Sequence, residues 1–539
     1  MTADQLSREI QSRLLGQFSP QASAELPPVL LAPAPAHVSA DIALSWPMAA
    51  CKLLKKNPLA LAEEAAALVS GLPGVSSAQA SKPGFINITL SDRLVWDNLE
   101  ACADSPDKAV LWESAPKGRL LLEFVSANPT GPLHVASGRG ASLGDSLVRI
   151  HNALGIPADA EYYVNDAGAQ TVLLAASLKA RAAGAEPPEN GYHGDYLKDL
   201  AAELPAGHQS WSDEQYAQFA IERMLLTHKR DMAQFRVEFK TWFLESELHR
   251  QQAWKSTLER LKELGKVYEK EGAVWFGSSA VEAEEKDDKD RVLVRTDGRP
   301  TYFLNDIAYH HNKYGRGYER LIDIWGADHH GYVPRMKAAV SALGFAPDSF
   351  CVIIHQLVML NKGGQAVKMS KRAGEFITLR ELVDEVGADA CRFFFAARTP
   401  NSHLNFDIDL AKKKSQENPV YYVQYVHARI CSIERGAAGK FSETVSAPAS
   451  LEKQERLLMA KLLWYQETLK TCVRDLSPHH LAAYLMELAG LFHPFYDACR
   501  VLDESNPAQS ASRLKLCRGV KNVIAHGLGL LGVSAPEQM

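Results

Sequence analysis

The stretch Ser126-Ala-Asn-Pro-Thr-Gly-Pro-Leu-His134-Val-Ala-Ser137 follows the apolar run Leu120–Val125 and leads into a segment where Leu143, Leu147, Val148 and Ile150 recur at helical spacing. The reading is strand, Gly/Pro turn, helix. The start of a helix presents unpaired N–H groups and a partial positive charge, so a turn placed there is a seat for phosphate. Gly131, Gly138, Gly140 and Gly144 would let nucleotide and neighbouring backbone come close, because a Cβ would fill that space. A tight turn with close helix packing is the plainer account of the same glycines.

Far downstream, Lys368-Met-Ser-Lys-Arg372 sets two ammonium groups and a guanidinium behind the flexible Asn361-Lys-Gly-Gly364. Lysines on a mobile loop act as point charges that follow a polyphosphate as its charge shifts. Alone, such a run is a solvated surface loop. Together the two blocks point to an ATP site.

The two blocks resemble the HIGH element and the KMSKS loop of class I aminoacyl-tRNA synthetases. The wording of Glu123-Phe-Val-Ser-Ala-Asn128, Tyr162-Tyr-Val-Asn-Asp-Ala-Gly168, Tyr302-Phe-Leu-Asn-Asp306, Trp325-Gly-Ala-Asp-His-His-Gly-Tyr332 and Asn418-Pro-Val-Tyr-Tyr-Val-Gln-Tyr425 is similar to that of the bacterial arginyl-tRNA synthetases. The resemblance implies ATP-dependent activation of arginine and its transfer to the 3′ end of tRNA(Arg). The alternatives are a nucleotidyltransferase acting on a small acid, which would not need so long a chain, and a non-catalytic tRNA-binding paralogue, which would not need Lys368 and Lys371. ATP–pyrophosphate exchange with each amino acid, with and without tRNA, separates the three.

The chain has 539 residues, too many for one core, and its 46% hydrophobic content is that of a globular protein. No apolar run approaches the roughly 18 to 20 residues of a membrane span, and the start, Met-Thr-Ala-Asp-Gln, lacks the basic and apolar pattern of a signal peptide. A cytoplasmic protein, working as a monomer, is expected. The cysteines show no Cys-x-x-Cys spacing, so neither a disulfide framework nor a zinc ribbon is indicated. His310-His311 and His329-His330 invite a metal reading, but neighbours on a strand point to opposite faces, and no protein metal site is expected. Magnesium is expected only as part of the ATP complex. The net charge of −5 does not advertise nucleic-acid binding. Residues 411–539 nonetheless carry 16 Lys+Arg against 12 Asp+Glu, or +4, leaving −9 elsewhere.

The expected fold is multidomain α/β. Residues 1–112, with helical spacing near Leu53 to Val69 and the alternating run Lys82–Leu90, read as an α+β domain. In the resemblance this is the module set against the tRNA elbow, with Phe85 and Asn87 as contacts. The plainer reading makes Phe85 core and Asn87 a solvent-facing strand residue. Residues 113–410 read as a class I Rossmann-like catalytic domain, whose runs Leu120–Val125, Leu321–Trp325 and Val352–Ile354 alternate with helices, as in a parallel sheet. A mostly helical insertion is expected at about 155–285. Residues 411–539 read as helices, Pro419–Ile433, Leu451–Leu476, His479–Leu491 and Arg513–Gly527, and match the family's anticodon-binding domain. Tyr421, Tyr422 and Tyr425 offer faces for base stacking, although some must serve the core.

An enzyme selecting arginine must oppose a guanidinium with carboxylates. The resemblance assigns Tyr302 and Asp306 to the guanidinium, with Glu123 and Asn128 helping to hold the substrate. The plainer readings are a helix N-cap for Asp306 and pairing with a basic neighbour for Glu123. For ATP, Asp328 suits a ribose hydroxyl because a carboxylate only accepts hydrogen bonds. One of His329 and His330 would face ligand, His329 on the ATP side or His330 on the arginine side. His134, Lys368 and Lys371 are the expected catalytic residues, the lysines stabilising departing pyrophosphate, with Ser137, Gly138, Met369 and Ser370 as further ATP contacts. The HIGH element usually ends in Gly-His, where this chain has Ala136-Ser137. Either the Ser137 hydroxyl replaces the histidine donor or it caps the helix. Family members lacking the first loop lysine carry a lysine where this chain has Gly131. This chain keeps Lys368, and so uses its loop lysines.

Overall fold

The structure is a computed structural model that describes the chain except residues 1–2, 23, 36, 281–286, 288, 368–376, 443–444 and 449. Lys368, Met369, Ser370 and Lys371 therefore lie outside the described residues.

Residues 42–90 form a three-stranded antiparallel sheet from β1 (Ile42–Leu44), β2 (Val75–Ser81) and β3 (Phe85–Leu90), with β3 in the middle. Alternation along β3 buries Ile86, Ile88 and Leu90 and turns Phe85, Asn87 and Thr89 to the other face. Phe85 is only half-buried, so the core reading of it does not hold. Its face is shared with Asn87, whose amide donates to the Ser81 hydroxyl at 3.1 Å.

The central sheet contains β4 (Leu120–Glu123), β5 (Ala158–Val164) and β6 (Thr241–Leu244). A separate antiparallel trio follows: β7 (Val267–Lys270), β8 (Ala273–Phe276) and β9 (Arg291–Val294). Then β10 (Arg320–Gly326) and β11 (Phe350–His355) complete a five-stranded parallel sheet of order β11-β10-β4-β5-β6. Leu120 to Glu123 are all buried, as helices on both faces of a parallel sheet require. The chain runs outward from β4 to β5 and β6, and returns on the other side of β4 as β10 and β11. Ligands in such sheets sit outside the carboxyl ends of the strands where the order reverses, here between β4 and β10.

The insertion is narrower than the sequence reading. Residues 158–164 and 241–244 belong to the central sheet, and β7 and β8 add strands; the helices lie between Ala169 and Gln234 and at Glu245–Gln251 and Ala253–Glu263. Helix Asp213–Gln234 opens with a capping box between Ser212 and Gln215. Two short strands, β12 (Val358–Lys362) and β13 (Gln365–Ala366), pair before residue 368, and β14 (Leu404–Asp407) runs parallel to β12.

The C-terminal part is helical: Pro419–Ala437, Lys453–Leu463, Tyr465–Arg474, His479–Ala498 and Pro507–Leu530. One apolar core joins this bundle to the N-terminal domain and the HIGH-side half of the sheet. A Cβ at Gly519 would lie 2.5 Å from Leu99, so glycine lets the last helix meet helix Asp92–Asp104 closely. Arg456 ties the same two parts together through Asp41 at 2.8 Å and Asp92 at 2.9 Å. Among the described residues no helix is long and apolar enough to cross a membrane.

Candidate active site

Helix Tyr302–Gly315 is capped by the Thr301 hydroxyl, which accepts from the Leu304 N–H. Asp306 is therefore inside the helix, and the N-cap reading of it is corrected. Asp306, Tyr309, His310 and Lys313 follow i, i+3, i+4, i+7 spacing, one stripe of the helix. That stripe crosses three neighbouring strands of the central sheet. In register there stand Glu161 of β5, Glu123 of β4 and Asp323 of β10, three carboxylates abreast.

The helix neutralises them. Lys313 Nζ donates to Glu123 Oε2 at 2.5 Å and to Asp323 Oδ1 at 2.8 Å, fully buried. His310 Nε2 meets Asp323 Oδ2 at 2.8 Å, while Nδ1 meets the Asp306 carbonyl at 2.8 Å. Arg316 and the Tyr309 hydroxyl serve Glu161 at 2.5 and 2.7 Å. Although burial alone would raise it, Asp323 is held down to about 2 by Lys313 and His310. Glu123 shares only Lys313, and burial pushes its carboxyl above the usual range.

Asp306 differs from these. It accepts from the Tyr332 hydroxyl, no cation among the described residues bonds it, and burial raises its carboxyl above the ordinary value. Asp306 lines a cavity of ≈ 640 Å³ together with Glu123, Ser126, Ala136, Ser137, Gly140, Tyr309, Asp328, His329, Tyr332 and His355. The cavity opens where the sheet order reverses.

At its other end lies the turn. The backbone of Val125 (φ 69°) and Ser126 (φ 39°) is left-handed, a conformation a β-branched residue rarely adopts. Ser126 compensates through its side chain, donating to Glu123 Oε1 at 2.8 Å and accepting from the Tyr163 N–H at 3.1 Å. The next carbonyls are held from outside the turn. Tyr162 donates to Ala127 O at 2.9 Å, Tyr196 to Thr130 O at 2.6 Å, and His228 Nε2 to Gly131 O at 2.8 Å. Helix Val135–Ala153 then starts with His134 as N-cap and no side-chain cap bond. Ser137 lies inside the first turn, so its N-cap reading is corrected, and it stands on the cavity wall beside Ala136.

Gly138 lies on the packing side, where a Cβ would sit 2.4 Å from Leu379 and 3.2 Å from Phe395. The missing side chain there serves helix packing, and Gly138 is not among the residues lining the first cavity. Gly144 likewise makes room for Phe124, 2.3 Å from a built Cβ. Arg139, buried, donates to the carbonyls of Gln356, Thr399 and Ser402 at 2.8 to 2.9 Å and so fastens the loop after β11 to this helix. Leu379 N–H donates to Leu133 O at 2.8 Å, and Thr378 bridges His134. The chain thus rejoins the HIGH turn immediately after residues 368–376.

The expected site residues divide among three cavities. Glu123, Ser137, Asp306, Asp328 and His329 share the first. Asn128 and His134 line a second, of ≈ 760 Å³, where Asn128 donates to Gln170 Oε1 at 2.7 Å. Tyr302, 71% exposed, lines a third with Arg295 and Arg299, and is not in the Asp306 cavity. His330 is exposed and off the first cavity, whereas His329 lines it. His310-His311 lie on a helix and His329-His330 on a 3₁₀ turn, so the strand argument about them does not apply. Among the described residues no group of three or more His, Cys, Asp or Glu could hold a metal ion. Tyr421 and Tyr425 stack with centroids 6.4 Å apart, and Tyr422 packs on His493 at 5.1 Å; all three are half-buried.

Lys313, His310, Asp323 and Glu161 were missed from sequence. Their signal was present: an acid within each of three buried strands, and polar residues on one helical stripe.

The chain matches three family descriptions in order: Arginyl tRNA synthetase N terminal domain over residues 3–90, tRNA synthetases class I (R), catalytic domain over 209–399, and DALR anticodon binding domain over 423–539. It is 58% identical over 538 residues to an arginine–tRNA ligase of Elusimicrobium minutum, covering 99% of this chain and 100% of that one. The chain belongs to the arginyl-tRNA synthetase family. A relative from Nitratidesulfovibrio vulgaris is 44% identical over 88% of this chain and 89% of its own. The arginyl-tRNA synthetase structure from Thermus thermophilus has the same fold, with a TM-score of 0.81 at 22% identity over 99% of this chain and all of that one.

Proposed function

We propose that this chain is an arginine–tRNA ligase whose ≈ 640 Å³ cavity takes arginine at the Asp306 end and ATP at the Ser137 and Asp328 end. The observation that carries this is Asp306: the neighbouring carboxylates have cationic partners, and among the described residues this one faces the cavity without one. A guanidinium stays charged at neutral pH and supplies the missing partner. Glu123, fixed by Lys313 and Ser126, bounds the same end. The arginine carboxylate attacks the α-phosphate of magnesium-bound ATP, and pyrophosphate leaves. The 3′-terminal adenosine of tRNA(Arg) then takes the arginyl group through a ribose hydroxyl. The protein contributes positioning and charge stabilisation. The helix start after His134 seats phosphate, Asp328 takes the ribose, and His329 faces the nucleotide. Lys368, Lys371, Met369 and Ser370 serve pyrophosphate from a segment after which the chain rejoins the HIGH turn at Thr378 and Leu379.

Phe85 and Asn87 meet tRNA from the open face of β3, and Tyr421, Tyr422 and Tyr425 from the first helix of the C-terminal bundle. The enzyme works as a monomer in the cytoplasm. ATP–pyrophosphate exchange with each amino acid, with and without tRNA(Arg), tests the reading. Exchange with arginine alone among the amino acids is expected. Exchange with another amino acid, or none under either condition while charging is absent, would remove it.

A further inference from the structure

His355 ends β11 on the wall of the main cavity, and the Nε2–Cδ2 edge of its ring lies against Gly140, 3.5 and 3.9 Å from where a Cβ would stand. Its Nδ1 is enclosed and has no hydrogen-bond partner among the described residues. A buried orphan N–H is costlier to leave than a bare acceptor nitrogen, so the tautomer that fits carries its proton on Nε2. Burial first and the Arg139 guanidinium second lower its basicity and favour the neutral ring. The Gln356 backbone and then Asp328, on the same wall, act in the opposite sense.

The mechanism above gives this imidazole no task. We propose that His355 is a nucleotide-contacting residue whose Nε2–H donates a hydrogen bond to the adenosine half of ATP. This rests on the cavity being the ATP site. The adenosine half, not the phosphates, is the partner for a geometric reason. Phosphate meets the free N–H groups at the start of helix Val135–Ala153, and Gly140 is a turn deeper, about 6 Å along the axis from Ala136. Beside His355 the wall is Gln356, held by Arg139, and Leu357, an apolar side chain left 63% exposed. A neutral donor next to an exposed leucine suits a sugar or base better than a polyanion.

The test is equilibrium binding of ATP, AMP and arginine to the full chain, with His355→Phe, which keeps a ring and removes both nitrogens. Expected are three- to tenfold weaker ATP and AMP binding, the range of about one neutral hydrogen bond, with arginine binding unchanged. Thermal stability should hold or rise, since the orphan Nδ1 is gone. His355→Gln, which restores a neutral donor, should recover part of the loss. Should His355→Phe fold poorly, His355→Leu carries the same comparison. Unchanged ATP affinity in a folded variant overturns the inference, and weakened ATP with unchanged AMP overturns the adenosine assignment. Failure of the unsubstituted chain to bind ATP would instead overturn the reading of the cavity.

Discussion

The two ends of the main cavity are built on different physics. At the arginine end the charges are buried, numerous and mostly paired, with Lys313 between Glu123 and Asp323, while Asp306, on the same cavity wall, has no cationic partner among the described residues. At the nucleotide end the wall is largely backbone, small side chains and exposed groups: Ala136, Ser137, Gly140, Gly326, Asp328 and His329. A permanent cation can be met by a preformed carboxylate frame. A triphosphate whose charge moves during reaction is better met by helix N–H groups and mobile lysines. Substitutions at the arginine end should therefore disturb stability as well as selection. Those at the nucleotide end should disturb rate with little effect on folding.

The sharpest break is Lys313→Met. It leaves Glu123 without its cation and Asp323 with His310 alone, and about 3 to 5 kcal/mol of stability should be lost in denaturant unfolding. A variant as stable as the parent would mean that the frame is not held by charge.

Asp306→Asn keeps size and removes the cavity-facing charge. Arginine-dependent turnover should fall by about 2 to 4 kcal/mol, the scale of a desolvated charged pair, while unfolding changes far less than for Lys313→Met. Normal arginine saturation would sink the assignment. The pH dependence carries a sign that can be checked. Burial raises the Asp306 carboxyl, so ionising it costs folding stability above its unfolded value, and protonation relieves that cost as pH falls. Arginine binding runs the other way, weakening as pH falls through the raised value. In Asp306→Asn the arginine affinity should be flat over that range. Asp323 has the opposite shift, being held at about 2, so its contribution to stability is present above the ordinary carboxylate range and is lost as pH drops toward 2.

At the nucleotide end, Ser137→Ala should slow adenylate formation by about 1 to 2 kcal/mol of barrier. Because Ser137 is within the first turn and is not the cap, melting should move little. A loss of stability with an unchanged rate per folded enzyme would reverse the contrast between the two ends.

The smallest effect is expected in the C-terminal bundle. Tyr421→Ala should raise the KM for tRNA(Arg) by about fivefold, roughly 1 kcal/mol, the low end for base stacking because the ring is already half-buried, and leave ATP and arginine affinities untouched. Deleting the C-terminal bundle would not test this cleanly, since it shares one apolar core with the rest.

Local pattern was legible where local forces decide. The alternation of β3, the apolar β4, β10 and β11, the C-terminal helices and the strand-turn-helix around His134 follow from periodicity and from Gly and Pro, and the motifs named the family. What the sequence could not place were relations between distant segments. Glu123, Glu161 and Asp323 become neighbours only when three parallel strands align in register, and Lys313 becomes their counter-ion only when a helix lies across them. Tyr302 and Asp306 are four residues apart yet belong to different cavities, because one helical turn does not reveal what covers each side. Gly138 and Gly140 look alike in sequence, but one packs on Leu379 and the other leaves space beside His355. Sequence alone determined the elements and the family, since hydrophobic period and turn chemistry act over a few residues. Only the tertiary structure decided which charges meet and which carboxylate stays open, because Coulomb pairing and desolvation depend on distance in space and not along the chain.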